Sequence, residues 1–84
     1  MTITVFSKPA CTQCTMTKKA LGNKGFTYVE KEIYEQPDEW LDEIKSENLL
    51  SAPIVQVDYA SGGQIRWAGF RPDLINDLRG DDAA

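Results

Sequence analysis

The sequence predicts an α/β domain, a mixed four-stranded sheet with three helices in the order β-α-β-α-β-β-α. Three observations predict it. Stretches of β-branched residues at period two alternate with stretches whose apolar residues fall at helical spacing. Proline and glycine mark the joins between them. The chain has 84 residues, enough for one small domain. A domain of this size buries only about 60% of the surface its unfolded chain exposes, so its stability is marginal.

Each element has a local reason. "TITVFS" sets Ile3 and Val5 between Thr2, Thr4 and Phe6, an alternation that reads as a strand. Lys8-Pro9-Ala10 interrupts it. A helix is expected from Thr12 to Lys24, with Met16, Ala20 and Leu21 as its few apolar positions. Gly25 is its left-handed stop and Phe26 the apolar residue after it. "TYVEKEI" is a second, weaker strand. Pro37 suits a first helical position, and Asp38 and Glu39 then sit where the helix dipole favours them. Trp40, Leu41 and Ile44 continue as a helical stripe, giving a helix from Pro37 to Glu47. "PIVQVD" and "QIRWA" are strands three and four, joined as a hairpin by the flexible turn "YASGG". Pro72 opens the last helix, whose apolar face is Leu74, Ile75 and Leu78, and Gly80 ends it. Residues 1–80 form the domain, and 81–84 are a polar tail.

Strands joined through a helix lie parallel, and the hairpin is antiparallel. Helices cover the sheet faces. This order is that of the thioredoxin fold in its minimal form.

Charge excludes some functions. The net charge is −4, but residues 1–25 hold Lys8, Lys18, Lys19 and Lys24 and no acid. The bland reading of these lysines is a solvated helix face. The carboxylates of residues 30–47 read likewise as the solvated side of the second strand and helix. An acidic chain without a basic stripe argues against nucleic-acid binding. No apolar run approaches the roughly 20 residues that span a membrane. "MTITVFSKPA" has no basic stretch followed by an apolar one, as a secretory signal would. A cytoplasmic, reducing setting is therefore expected, where a disulfide is chemical and transient rather than a staple.

The two cysteines, Cys11 and Cys14, carry the chemistry. C-x-x-C where a strand passes into a helix is the arrangement of a thioredoxin-like redox motif. Cys11 falls at the helix start, where free N–H groups and the positive end of the dipole favour a thiolate. Cys14 lies one turn on, at the usual separation for a disulfide. Cys11 can thus be attacked from outside while Cys14 resolves the mixed disulfide from within. Two other readings stay open: inert core thiols, or half of a metal site. A closed zinc site needs four ligands, and one chain offers two Cys and no His. A dimer could supply four thiolates for zinc or an iron–sulfur cluster. Without His no Ser/His/Asp triad exists, and "SGG" lacks the strand-to-helix setting of a phosphate loop. Trp40 reads as core, and so does Trp67, although it stands beside Arg66 near a turn.

"CTQC" after "FSKPA", then "SAPIV", then "WAGFRPD", resembles the NrdH-redoxins, glutaredoxin-like proteins with thioredoxin-like activity. The resemblance runs from Ile3 to Leu78. It implies a monomeric thiol-disulfide oxidoreductase that is reduced by thioredoxin reductase and donates electrons to class Ib ribonucleotide reductase. It implies no bound cofactor beyond the Cys11–Cys14 disulfide, NADPH being used through the reductase. Cys11 is then the attacking thiol and Cys14 the resolving one. Pro53 matches the family's cis-proline, and Ala52 before it would offer backbone groups to an extended partner segment. Lys8, Gly69, Phe70 and Arg71 are expected to complete the partner-binding surface, with Phe70 and Arg71 as a docking anchor, the alternative being that Phe70 only packs the last helix onto the sheet.

A glutathione-dependent glutaredoxin is the alternative. Ordinary glutaredoxins carry Gly-Gly and polar residues where this chain has Ala68-Gly69-Phe70-Arg71-Pro72. Phe70 adds bulk and Pro72 lacks an N–H, so weak glutathione binding is expected. The family often has Ser where this chain has Ala68, and Gln where it has Ser51. A hydrogen bond tying the last helix's loop to the proline loop is therefore expected to be missing. The "DYASGGQI" hairpin is longer than the family's.

Overall fold

Strand β1 (Thr2–Ser7) alternates, and the alternation assigns both faces of the sheet. The computed structural model describes residues 1–78. Ile3 and Val5 point into a larger apolar cluster, while Phe6 points into a smaller one on the opposite face. Strand β2 (Val29–Glu32) pairs parallel to β1. Strand β3 (Ile54–Asp58) pairs antiparallel to its other edge, and β4 (Gln64–Ala68) antiparallel to β3. The spatial order is β2-β1-β3-β4. Helices α1 (Thr12–Asn23) and α3 (Pro72–Asp77) supply Leu21, Ile75 and Leu74 to the larger cluster. Helix α2 (Asp38–Ser46) supplies Ile44 and Trp40 to the smaller one. The mixed sheet and three helices are the thioredoxin-like fold, in the expected order.

Local chemistry ends each helix. Gly25 has φ +83°, and the Phe26 and Gly25 N–H groups donate to the carbonyls of Leu21 and Gly22. These are the two bonds of a Schellman stop, and Phe26 packs on the cluster that holds Leu21. The same pair of bonds ends α2, where Asn48 has φ 61° and Leu49 donates to Ile44. The sequence reading did not assign that role to Asn48, although asparagine is the side-chain-bearing residue that tolerates this conformation best.

Several expectations change in detail. The buried stripe of α1 is Cys14, Thr17 and Leu21, while Met16 is exposed. Met16 stands five residues from Leu21, and at about 100° per residue that places it well round the helix. Strand β2 is shorter than "TYVEKEI", because a single 3₁₀ turn takes over at Ile33–Glu35. Pro37 is the residue before the first turn of α2 rather than its first member. Helix α3 begins at Pro72 as expected but ends at Asp77, with Leu78 extended. Gly80 and the tail 81–84 lie outside the described residues. The hairpin loop is not a loose turn: Gly62 N–H donates to Tyr59 O, and Tyr59 N–H to Gly63 O.

The carboxylates of residues 30–47 lie on the exposed side as expected, and three of them are also ion-paired. Arg66 on β4, whose side chain is only 9% exposed, donates to Gln56, Glu43 and Glu47 at 2.9, 2.6 and 2.8 Å. This clamps α2 to the sheet. Lys18 of α1 likewise pairs with Glu30 of β2 at 2.6 Å. Trp40 packs as expected, its ring 4.4 Å from that of Phe6. Trp67 is buried.

Candidate active site

The cysteine loop forms where β1 ends. Ala10 takes φ 54°, the left-handed turn that drops the chain from strand to helix. Cys11 follows as the N-cap of α1, with extended backbone, and its Sγ accepts a hydrogen bond from the Cys14 N–H at 3.2 Å. An N-cap acceptor satisfies one of the helix's free donors. Here sulfur does this, so the group that caps the helix is also the one whose negative charge its end would stabilise. Cys11 and Cys14 are joined as a disulfide, with Cα atoms 5.3 Å apart. Cys11 is half-buried and Cys14 only 2% exposed. Cys11 is thus the more accessible residue of the pair.

Three stretches distant in sequence are stitched together around this pair. Gln13, inside the C-x-x-C motif, accepts the Phe70 N–H through Oε1 at 2.9 Å. Gly69 N–H donates to the Pro53 carbonyl at 2.8 Å. Gly69 has φ +83°, and a Cβ there would stand 3.1 Å from Gln13 Oε1. Only glycine combines that conformation with so close an approach. The loop before α3 is thus tied to the proline loop through backbone atoms, so the tie expected to be missing with Ala68 and Ser51 is made in another way. Ala52–Pro53 is the cis bond that the resemblance implied. Sequence reasoning gave Gln13 no role. Its position between the cysteines, facing outward from the helix start, was the available signal.

The other expected residues fall on two sides of this centre. Lys8 and Ala52 line a shallow apolar groove of about 310 Å³ that runs toward Trp40 and Leu41 of α2. Phe70 is half-buried and packs on the larger core cluster. Arg71 is exposed, and one edge of its guanidinium bonds both carboxylate oxygens of Asp73, Nε–Oδ1 3.1 Å and Nη2–Oδ2 2.8 Å. That bond holds the Asp73 carboxyl below its usual range and raises the guanidinium. Beside β1, Lys18 and then Ser7 hydrogen-bond Glu30 and hold its carboxyl below the ordinary value. Among the described residues no three His, Cys, Asp or Glu side chains gather to hold a metal ion. None of the described helices is long and apolar enough to cross a membrane.

Residues 3–59 match the glutaredoxin family. The glutaredoxin-like protein NrdH of Salmonella typhimurium is 33% identical over 78 residues, spanning 93% of this chain and 89% of its own. The Lactococcus lactis protein of the same name is 34% identical over 76 residues, spanning 90% and 97%. The Escherichia coli NrdH-redoxin, described as a glutaredoxin-like protein with a thioredoxin-like activity profile, superposes with a TM-score of 0.76. It is 32% identical and covers 94% of this chain and 96% of its own. A thioredoxin-like protein at 22% identity and TM-score 0.64 shares the fold. With its Cys11–Cys14 disulfide, its Gln13 between the cysteines and these relatives across nearly its whole length, the chain belongs to the glutaredoxin family, in its NrdH-redoxin branch.

Proposed function

We propose that this protein is a dithiol–disulfide electron carrier, reduced by thioredoxin reductase with electrons from NADPH and donating them to class Ib ribonucleotide reductase. The observation that carries the exchange chemistry is the pairing of a half-buried N-cap sulfur, Cys11, with a buried one, Cys14. In the reduced carrier the Cys11 thiolate attacks one sulfur of the target disulfide. A Cys11–target bond forms, and the target's other sulfur leaves as a thiolate and takes a proton. Cys14 then gives up its proton and attacks Cys11 Sγ, closing the Cys11–Cys14 bond and releasing the second target thiol. The target gains two electrons from the carrier and two protons, one from Cys14 and one from the solvent that took the Cys11 proton when the thiolate formed. Exchange with the reductase's dithiol runs the same steps in reverse.

The choice of electron donor rests on the rim before α3. Binding a glutathione carboxylate there calls for free backbone donors. The Phe70 N–H is spent on Gln13, Gly69 N–H on Pro53, and Pro72 has none. Arg71 is engaged with Asp73. These features support a reductase over glutathione. In this reading Ala52 presents backbone groups to an extended partner segment beside Pro53, while Lys8, Gly69, Phe70 and Arg71 flank it. The NrdH name of the relatives and the thioredoxin-like profile of the Escherichia coli protein point the same way.

The test is a coupled assay with NADPH and either thioredoxin reductase or glutathione plus its reductase. Rapid NADPH oxidation with the first and slow oxidation with the second is expected. The reverse order would favour a glutathione-dependent glutaredoxin. Failure of both, with a coloured or zinc-loaded dimer, would favour a metal-binding module.

A further inference from the structure

The buried face of α1 carries a polar group that the exchange steps above do not use. Thr17 is fully buried, and its Oγ1 has no hydrogen-bond partner among the described residues. A threonine inside a helix commonly bonds back to the carbonyl four residues earlier. Thr15, on the exposed side, does this, donating to Cys11 O at 3.3 Å. Thr17 makes no such bond to Gln13. An unpaired buried hydroxyl is costly, and a methyl group in its place would cost nothing of the kind. Thr17 lies three residues after Cys14 on the same buried stripe. Side chains at that spacing are neighbours about 5–6 Å apart at Cβ, and Cα–Cβ bonds tilt toward the helix N-terminus. The Thr17 side chain therefore leans toward the turn that carries Cys14.

In the oxidised protein Cys14 Sγ is committed to Cys11. On reduction that bond breaks, and Cys14 becomes a buried thiol with a free donor and a free acceptor. Burial disfavours its thiolate, although resolution of the mixed disulfide requires one. We propose that the Thr17 hydroxyl is the hydrogen-bond partner of reduced Cys14, accepting from its S–H at rest and donating to its S⁻ as it attacks Cys11. Thr17 takes no proton. The Cys14 proton leaves with the released target thiol, the Cys11–target bond breaks and the Cys11–Cys14 bond forms. Thr17 is a positioning residue, and its hydroxyl, unpaired in the oxidised protein, gains its partner when reduction frees the Cys14 sulfur. The inference rests on the proposed cycling of the cysteine pair.

The experiment compares wild type, Thr17→Val and Thr17→Ser in both redox states. Each is equilibrated with dithiothreitol for the exchange constant, melted in the oxidised and the reduced form, and followed by stopped flow for resolution of a Cys11 mixed disulfide against pH. Thr17→Val is expected to raise the melting temperature of the oxidised form only. It should make the pair about fivefold harder to reduce, about 20 mV at roughly 30 mV per factor of ten, and move the resolution profile to higher pH. Thr17→Ser should lower both melting temperatures by loss of its methyl yet keep the wild-type exchange constant and pH profile. If Thr17→Val shifts both melting temperatures equally with the exchange constant and pH profile unmoved, Thr17 is packing and the inference is overturned. Should Thr17→Val not fold, a Thr17→Ser exchange constant displaced like that expected for valine would overturn it too. A wild-type pair that never equilibrates with dithiothreitol would instead overturn the redox reading itself.

Discussion

The two faces of the sheet treat buried polar atoms in opposite ways. Under α2, Arg66 is nearly covered, yet Gln56, Glu43 and Glu47 all accept from it. Under α1 and α3, Thr17 and Trp67 are buried with polar atoms that lack partners, and among the described residues these are the only two such side-chain atoms. An unsatisfied buried group costs about 1–3 kcal/mol, a large share of the stability of a small domain. The α2 face is built to hold. The α1 face, which carries Cys14, leaves two buried polar atoms unpaired among the described residues. Changes on the first face should therefore alter melting alone, and changes at the cysteine end should alter exchange as well.

The largest effect is expected where the rim is tightest. Gly69→Ala forces a left-handed alanine, at about 1–2 kcal/mol, and drives its Cβ against Gln13 Oε1. Together these should cost about 2 kcal/mol, lowering the melting temperature by roughly 10 °C, and should speed hydrogen exchange at the Phe70 amide. Disulfide exchange should slow with it. Unchanged amide protection would mean that the Gln13–Phe70 bond does not order the rim.

Arg66→Met should come next. It keeps the stem's packing but removes three hydrogen bonds. Glu43 and Glu47 are about half exposed and rehydrate, so the loss should be about 1–2 kcal/mol rather than that of a fully buried pair. Thermal denaturation measures it. Exchange with dithiothreitol at 25 °C should match wild type, and a slowed exchange would erase the contrast between the faces.

The smallest effect is a pH dependence. Glu30 is held below its ordinary value first by Lys18 and then by Ser7. A depressed folded-state value contributes stability above the unfolded value, near 4.3, and loses it as pH falls through the lower folded one. The Glu30 side chain is 46% exposed, so the contribution is a fraction of a kcal/mol. Urea titrations should show wild type losing its advantage over Glu30→Gln below about pH 4. A constant difference down to pH 3 would contradict this.

The fold was legible because its signals are local. Gly25 and Phe26 announced a helix stop that forms bond for bond, and Pro72 opened α3. C-x-x-C at a strand end placed the sulfurs correctly. What stayed hidden depends on tertiary pairing. Glu43 and Glu47 look like a solvated helix face until β4 brings Arg66 under them. Gln13 looks like a surface residue until the loop before α3 arrives 57 residues later in the chain. Thr17 is polar, so no apolar stripe marks it, while Met16, an apolar position of the same helix, faces solvent.

The central claim is that Cys11 attacks and Cys14 resolves. It is tested by intact-mass spectrometry of the two serine variants after incubation with a protein disulfide substrate. Cys14→Ser should accumulate as a covalent adduct through Cys11 that only an added thiol releases, and Cys11→Ser should remain unmodified. An adduct on Cys11→Ser, with none on Cys14→Ser, would show that the buried sulfur is the one a partner reaches and would contradict the account.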